Sequence, residues 1–204
     1  MKFGIEGKVA LVTGAAGKGL GRADAIALAQ EGVNVAVIDI QNCDEAVAAI
    51  QKEGVKSIGY SCDISKEDQV NEVIQKISQE LGSIQILVNN ASILTTVGMF
   101  AEIDPKRFNK DVEVNLIGTA NVTRAVWPGM LEKKWGRVIS MASIAGTRGG
   151  AGQASYSATK ASMIGFGKTL ALEGGRFGIT SNIIAPGVMK SEAATTLIRS
   201  DMLE

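Results

Sequence analysis

The chain has 204 residues, enough for one domain with a sizeable hydrophobic core and no need of covalent staples. Lys plus Arg and Asp plus Glu balance at 21 each, so no bulk field draws the chain to nucleic acid or to an anionic membrane, and function has to come from a local site. Histidine is absent, which removes the commonest general base and metal ligand and excludes a Ser-His-Asp arrangement, so no metal site is expected.

In chain order, VALVT at 9–13 reads as a buried strand, followed by a helical stretch at 23–31. VNVAVID at 33–39 and VKSIGYS at 55–61 predict two more strands, with helices at 44–53 and 67–81 after them, and IQILVN at 84–89 predicts a fourth strand. Gly32, Gly54 and Gly82 stand where carboxyl-terminal helix caps belong. A long helix at 105–132, a strand RVISMAS at 137–143, a helix at 154–173 and a strand TSNIIAP at 180–186 complete the pattern. Such alternation implies parallel strands joined by crossovers. The expected fold is a single-domain α/β protein, a doubly wound Rossmann-type parallel sheet with helices on both faces and ligands at the carboxyl ends of the strands.

TGAAGKGLG, from Thr13 to Gly21, joins the first strand to the first helix. There glycines permit a tight turn and let backbone amides approach a pyrophosphate, which makes Gly14, Gly19 and Gly21 cofactor-binding candidates. Asp39 ends the second strand about 20 residues further on, where a carboxylate accepts hydrogen bonds from the adenosine ribose and repels a 2′-phosphate. This favours NAD over NADP. Lys18 is the opposing feature, a cation in the loop able to pair with a 2′-phosphate, and otherwise a solvated surface charge.

Tyr156 and Lys160 are four apart in YSATK on a predicted helix and share a face, about 6 Å apart along the axis. A free phenol has a pKa near ~10, and an ammonium ~4 Å away at an effective dielectric of ~20 lowers it by roughly three units. That would bring Tyr156 into working range as an acid or base. Ser143, at the end of a predicted strand, is placed to hold a substrate oxygen while Tyr156 gives or takes the proton.

Together these residues resemble the short-chain dehydrogenase/reductase family, and the resemblance runs through nearly the whole chain. Besides the glycine loop and YSATK, it rests on CDIS with Asp63, NNAS with Asn89, Asn90 and Ala91, VNLIGT with Asn115, ISMAS with Ser143 and IIAPGV with Pro186 and Gly187. The resemblance implies a catalytic set of Asn115, Ser143, Tyr156 and Lys160, with Asn115 holding a water in a proton relay to Lys160. Asn115 also interrupts an apolar helix face, where an unpaired amide would cost about 1 to 3 kcal/mol, so it should have a partner. Implied cofactor contacts are Gly14, Gly17, Lys18, Gly19, Leu20 and Gly21 in the loop, then Asp39. Further along come Cys62, Asp63 and Ile64, with Asp63 on the adenine ring, and Asn90 and Ala91 beside the fourth strand. Tyr156 and Lys160, the latter on the nicotinamide ribose, and Pro186, Gly187, Val188 and Ser191 complete the set.

Three features depart from the family pattern. The glycine loop has four residues between Gly14 and Gly19 where three are usual, so Gly17 is a candidate for the close approach to the phosphates. Ser92 replaces the glycine of the usual NNAG, and Ser191 replaces a threonine that often contacts the nicotinamide carboxamide. The last strand and helix of the family do not follow Gly187, and the chain is read as shortened at its carboxyl end.

The expected activity is hydride transfer between NAD(H) and a secondary alcohol or ketone. The different-class alternative is a non-catalytic NAD(P)-binding regulatory or assembly protein of the same fold, against which the intact serine, tyrosine and lysine argue. A nucleotide-sugar epimerase would need a further sugar-nucleotide domain, for which there is no room. Ile93, Leu94, Val97, Ile144, Val188 and Met189, with Thr95 and Thr96, are the expected substrate lining, mainly apolar. Arg148 is close enough in sequence to meet an acidic group, or is a solvated loop charge. A 3-oxoacyl thioester, a sugar alcohol, a cyclic alcohol and a steroid all remain open. Cys43 and Cys62 have neither metal-ligand nor disulfide spacing and suit a reducing compartment. The apolar run at the amino terminus is too short for a signal peptide, so a cytoplasmic protein is expected. Relatives imply a homodimer or homotetramer, with no nucleic acid or membrane partner.

Overall fold

The structure, a computed structural model, describes residues 3–187 and Met189; Val188 and Ser191 of the expected site lie outside the described residues. Six strands, β1 (Val9–Thr13), β2 (Asn34–Asp39), β3 (Ser57–Ser61), β4 (Ile86–Asn89), β5 (Gly136–Met141) and β6 (Ile179–Ile184), form one sheet in the order β3-β2-β1-β4-β5-β6. Every neighbouring pair is parallel. Each predicted strand is therefore present, within two residues of its expected bounds.

Helices α1 (Leu20–Gln30), α2 (Asp44–Gln51), α3 (Glu67–Glu80), α4 (Pro105–Val112), α5 (Thr119–Lys133), α6 (Ile144–Arg148) and α7 (Ala154–Gly174) cover the sheet. Alternation along each strand sorts the core into two layers. Leu11, Ile38, Leu87 and Val138 face Val70 and Ile77 of α3 and Val122 and Met130 of α5. Val12, Val35, Val37 and Val88 face Ala25 and Ala29 of α1 and Ala46 and Ile50 of α2. Burying both faces requires strands that are apolar throughout, which is why the β-branched runs were legible. Gly32, Gly54 and Gly82 have φ of +77°, +83° and +99°, the left-handed conformation expected of helix-ending glycines.

Two local features differ from expectation. The helix predicted at 105–132 is divided by a π-helical segment, Glu113–Gly118, around the buried Asn115. A wider turn of this kind is set by tertiary contacts and leaves no mark on the apolar period. The strand predicted to reach Ser143 ends at Met141, and Ser143 instead caps the short α6, its Oγ accepting from the Ala145 amide at 3.2 Å. Since β1 has β2 on one side and β4 on the other, the loops leaving β1 and β4 diverge and open a crevice at the carboxyl edge. Among the described residues no helix is long and apolar enough to cross a membrane.

Candidate active site

The loop leaving β1 is strapped to the end of β4. Thr13 Oγ1 accepts from the amides of Asn90 at 3.1 Å and Ala91 at 2.9 Å, and Asn90 Nδ2 donates to the carbonyls of Thr13 and Gly14, both at 2.9 Å. Gly14 has φ +67°, and a Cβ on it would stand 2.7 Å from the Ala91 Cα; one on Gly21 would stand 2.5 Å from the Gly14 carbonyl oxygen. Only glycine fits either position. The close approaches to protein thus fall to Gly14 and Gly21. At Gly17 and Gly19 a Cβ would meet nothing within 4 Å. The extra residue of the loop is taken up on this outward side, where Gly17 and Lys18 are exposed. Gly19 is the N-cap of α1 and no side chain caps that end, so the amides beginning at Leu20 and the positive end of the helix are available to an anion. An open glycine surface before an uncapped helix fits a pyrophosphate.

Asp39 closes β2, its Oδ2 accepting from the Ala16 amide at 3.0 Å and its Oδ1 from the Gln41 amide at 3.1 Å. Both partners line a cavity of about 340 Å³ together with Gly17, Lys18, Arg22, Asn42 and Glu45. The Arg22 guanidinium donates to the Ala16 carbonyl and lies 3.6 Å from Glu45, while its buried Nε has no partner. This polar-lined cavity lies beside Asp39 at the carboxyl ends of β1 and β2. Beside it, Asp63 Oδ1 accepts from the Ser65 amide at 2.9 Å and hydroxyl at 2.7 Å. Burial pushes the Asp63 carboxyl up, but these bonds and the nearby Lys110 and Lys66 outweigh it and hold the group below its usual range. Cys62 and Ile64 place their side chains in the core, and the Ile64 carbonyl accepts from Asn121 Nδ2 at 3.1 Å. What Cys62 offers at the strand end is its backbone. Both cysteines are free and buried, and burial pushes each thiol up to about 11.

Across the crevice, α7 carries Tyr156 and Lys160 toward the end of β5. Lys160 is 4% exposed and its Nζ donates to the Met141 carbonyl at 2.7 Å. Burial pulls the ammonium down to about 8. Its Nζ is 5.6 Å from the centre of the Tyr156 ring. The phenol, expected to be lowered by the lysine, is instead raised above its ordinary value: burial dominates, and a hydrogen bond with Ser143 pulls the other way without offsetting it. The reason for the difference is geometric, since the ammonium is directed to Met141 and not to the phenol oxygen. Ser143 Oγ accepts from the Ala145 amide, and its hydroxyl is the group that draws the Tyr156 phenol downward.

Asn115 has the partners its burial demands. Its Oδ1 accepts from the Ile93 amide at 2.7 Å, and its Nδ2 donates to the Ile93 carbonyl at 2.8 Å and to Thr159 Oγ1 at 3.2 Å. The side-chain amide is therefore committed to protein, positioning the strip after β4 against α7. Asn89 faces inward, donating to Thr123 Oγ1 at 3.0 Å, so it belongs to the core and not to the crevice. Pro186 accepts from the Ile144 amide at 3.0 Å, bringing the segment after β6 beside Ser143, and Gly187 follows it with open space where a Cβ would project. Val97, Ile144 and Met189 are exposed apolar residues, at 56%, 41% and 46%, and Ile93 and Leu94 are half-buried. Arg148 is exposed. Thr13, Arg22, Asp111, Ser155 and Thr159 take part in this architecture without having been singled out by the sequence. Of these only Thr13 and Arg22 carried a signal, as the residues flanking the glycine loop. No group of three His, Cys, Asp or Glu able to hold a metal is found among the described residues.

A parallel sheet of this order, with a glycine loop at its switch point and Ser143, Tyr156 and Lys160 across the crevice, has the architecture of a dinucleotide-binding oxidoreductase. The sequence profile of the short chain dehydrogenases matches residues 8–201. The chain is 39% identical over 203 residues to a 3-oxoacyl-acyl-carrier-protein reductase FabG of Staphylococcus epidermidis, covering 97% of this chain and 82% of that one. It is 43% identical over 185 residues to an acetoacetyl-CoA reductase of Paracoccus denitrificans, covering 91% and 75%. Among solved structures, NAD+-bound xylitol dehydrogenase superposes with a TM-score of 0.90 at 31% identity, over 93% of this chain and 74% of that one. Levodione reductase does so with a TM-score of 0.90 at 31% identity, over 94% and 76%. The chain belongs to the short-chain dehydrogenase family, and it is an oxidoreductase that transfers hydride between a nicotinamide cofactor and an alcohol or carbonyl carbon.

Proposed function

We propose that this protein is an NADH-dependent reductase of a 3-oxoacyl thioester, with Tyr156 as the proton donor and Ser143 as the second donor to the substrate oxygen. The observation that carries the reading is geometric: Ser143 caps α6 beside Tyr156, and the Lys160 ammonium lies 5.6 Å from the centre of the Tyr156 ring. A tyrosine keeps its proton at neutral pH and can give it to a carbonyl oxygen, and the reductive direction is drawn from the two reductases named above. A nicotinamide cofactor held between the glycine loop and Lys160 would supply the hydride chemistry at the carbonyl carbon. As negative charge develops on the carbonyl oxygen, Ser143 Oγ–H and Tyr156 Oη–H donate to it, and the tyrosine proton passes to that oxygen. Lys160, anchored on Met141, adds positive charge beside the Tyr156 ring and would hold the cofactor ribose. Gly14, Gly19, Leu20 and Gly21 would hold the pyrophosphate, and Asn90 and Ala91 keep that loop in place.

NADH is favoured over NADPH by Asp39, whose carboxylate is pinned by two amides at the ribose end of the site, where a 2′-phosphate would be repelled. Arg22 does not reverse this, since its guanidinium is engaged by Ala16 and Glu45. The 3-oxoacyl assignment draws on the two reductases named above and on the apolar Val97, Ile144 and Met189, which suit an acyl chain. Acetoacetyl-CoA with NADH is the test: turnover is expected, several-fold or more faster than with NADPH. Turnover of xylitol or a cyclic diketone with no turnover of acetoacetyl-CoA would overturn the substrate assignment.

A further inference from the structure

We propose that Asp111 is a positioning residue for the reacting tyrosine, acting by clamping the substrate-lining strip after β4 to the start of α7; the inference rests on the reductase reading of this site. Asp111 lies in the last turn of α4 and is fully buried. Its Oδ1 accepts from the Thr95 amide at 3.0 Å and from Thr95 Oγ1 at 2.8 Å, and its Oδ2 accepts from Ser155 Oγ at 2.6 Å. The Thr95 hydroxyl also lies 3.1 Å from the Arg107 carbonyl, so its hydrogen is shared between the two acceptors. Ser155, itself fully buried, is the residue before Tyr156.

The arrangement repeats four residues later. Asn115 binds Ile93 in the same strip and Thr159 on the same helix, and each rung joins residues 44 apart in sequence. Two rungs thus fasten the strip at Ile93 and Thr95 and fasten α7 at Ser155 and Thr159, one on each side of Tyr156. Between them they fix the backbone carrying the phenol against the backbone facing the substrate. A carboxylate is the side chain that can accept from both sides at once, because each oxygen has its own donors and neither needs a hydrogen of its own. An apolar residue would take this acceptor from the Thr95 amide and leave the fully buried Ser155 hydroxyl unpaired, and a buried unpaired donor seeks another conformation. No charged side chain is among the partners of Asp111, so neutral donors alone stabilise this buried carboxylate.

The test compares Asp111→Leu, Asp111→Asn and Ser155→Ala in the full-length protein, measuring acetoacetyl-CoA reduction, NADH affinity by fluorescence and hydrogen exchange of the Thr95 amide. Asp111→Leu is expected to lower kcat by about tenfold to a hundredfold, the effect of misplacing a reacting group by about 1 Å, with NADH affinity changed by less than about twofold. The Thr95 amide should then exchange faster. Asp111→Asn keeps an acceptor for Thr95 and can donate to Ser155 Oγ, so it should restore kcat to within several-fold of wild type. Ser155→Ala, the milder change should Asp111→Leu fail to fold, should lower kcat while Thr95 stays protected. A normal kcat in Ser155→Ala, or Asn failing to rescue, would overturn the proposal, as would an unchanged Thr95 amide in Asp111→Leu. Wild-type inactivity on every ketone would instead overturn the functional reading and leave Thr95 exchange to decide the clamp.

Discussion

Asn90 donates one side-chain amide to two carbonyls, those of Thr13 and Gly14, each at 2.9 Å, and so ties the end of β4 to the cofactor loop of β1. Asn90→Ala leaves both carbonyls without that donor. Losing these bonds should cost about 1 to 3 kcal/mol, read as a lower Tm and as NADH affinity weaker by about tenfold. A variant with unchanged Tm and unchanged NADH affinity would show that the strap has no such role.

The glycine loop makes a contrast that a pair of substitutions can test. Gly14→Ala puts a Cβ 2.7 Å from the Ala91 Cα at a φ of +67°, whereas Gly17→Ala puts one in open space. The first should lose more than about 1 kcal/mol of stability and most of its NADH binding; the second should leave Tm unchanged or slightly raised. Equal thermal denaturation of the two would contradict the packing described.

Lys160 has a folded pKa of about 8 against an ordinary 10.5, so the unfolded chain binds its proton more tightly than the folded one between those values. Stability from this group therefore rises with pH across the window from about 8 to 10.5 and is at its lowest below 8. Lys160→Met removes the dependence. The Tm difference between wild type and Lys160→Met should shift in favour of wild type as the pH goes from 7 to 10. Parallel Tm curves would mean that the lysine is not desolvated in the folded state.

Asp39→Ala removes the carboxylate pinned by Ala16 and Gln41. Fluorescence titration should show NADH binding weakened and NADPH binding strengthened relative to wild type, since repulsion of a 2′-phosphate goes and the ribose loses an acceptor. No change in the ratio of the two affinities would remove Asp39 from cofactor selection.

Most of the sheet was legible because a doubly covered strand has to be apolar on both faces, and VALVT and VNVAVID have no other simple reading. Gly32, Gly54 and Gly82 were legible because a left-handed helix end leaves few alternatives. Spacing put Tyr156 and Lys160 on one helix face, but the direction of the ammonium toward Met141 was not legible, because that contact spans 19 residues and a helix-to-strand packing. The π segment escaped for the same reason: Asn115 widens the helix by bonding Ile93, 22 residues away. Asp111 lies in a helix full of charge, PKRFNKDV, where it reads as one more solvated side chain until Thr95 and Ser155 are brought to it by the fold.

The central claim, that Tyr156 supplies the proton in a carbonyl reduction, is tested most directly by acetoacetyl-CoA reduction with Tyr156→Phe. Removing the phenol oxygen takes away the proton donor and little packing. The account predicts a fall in kcat of about 100-fold or more with NADH affinity within about twofold of wild type. A Tyr156→Phe protein that kept most of its turnover would contradict it.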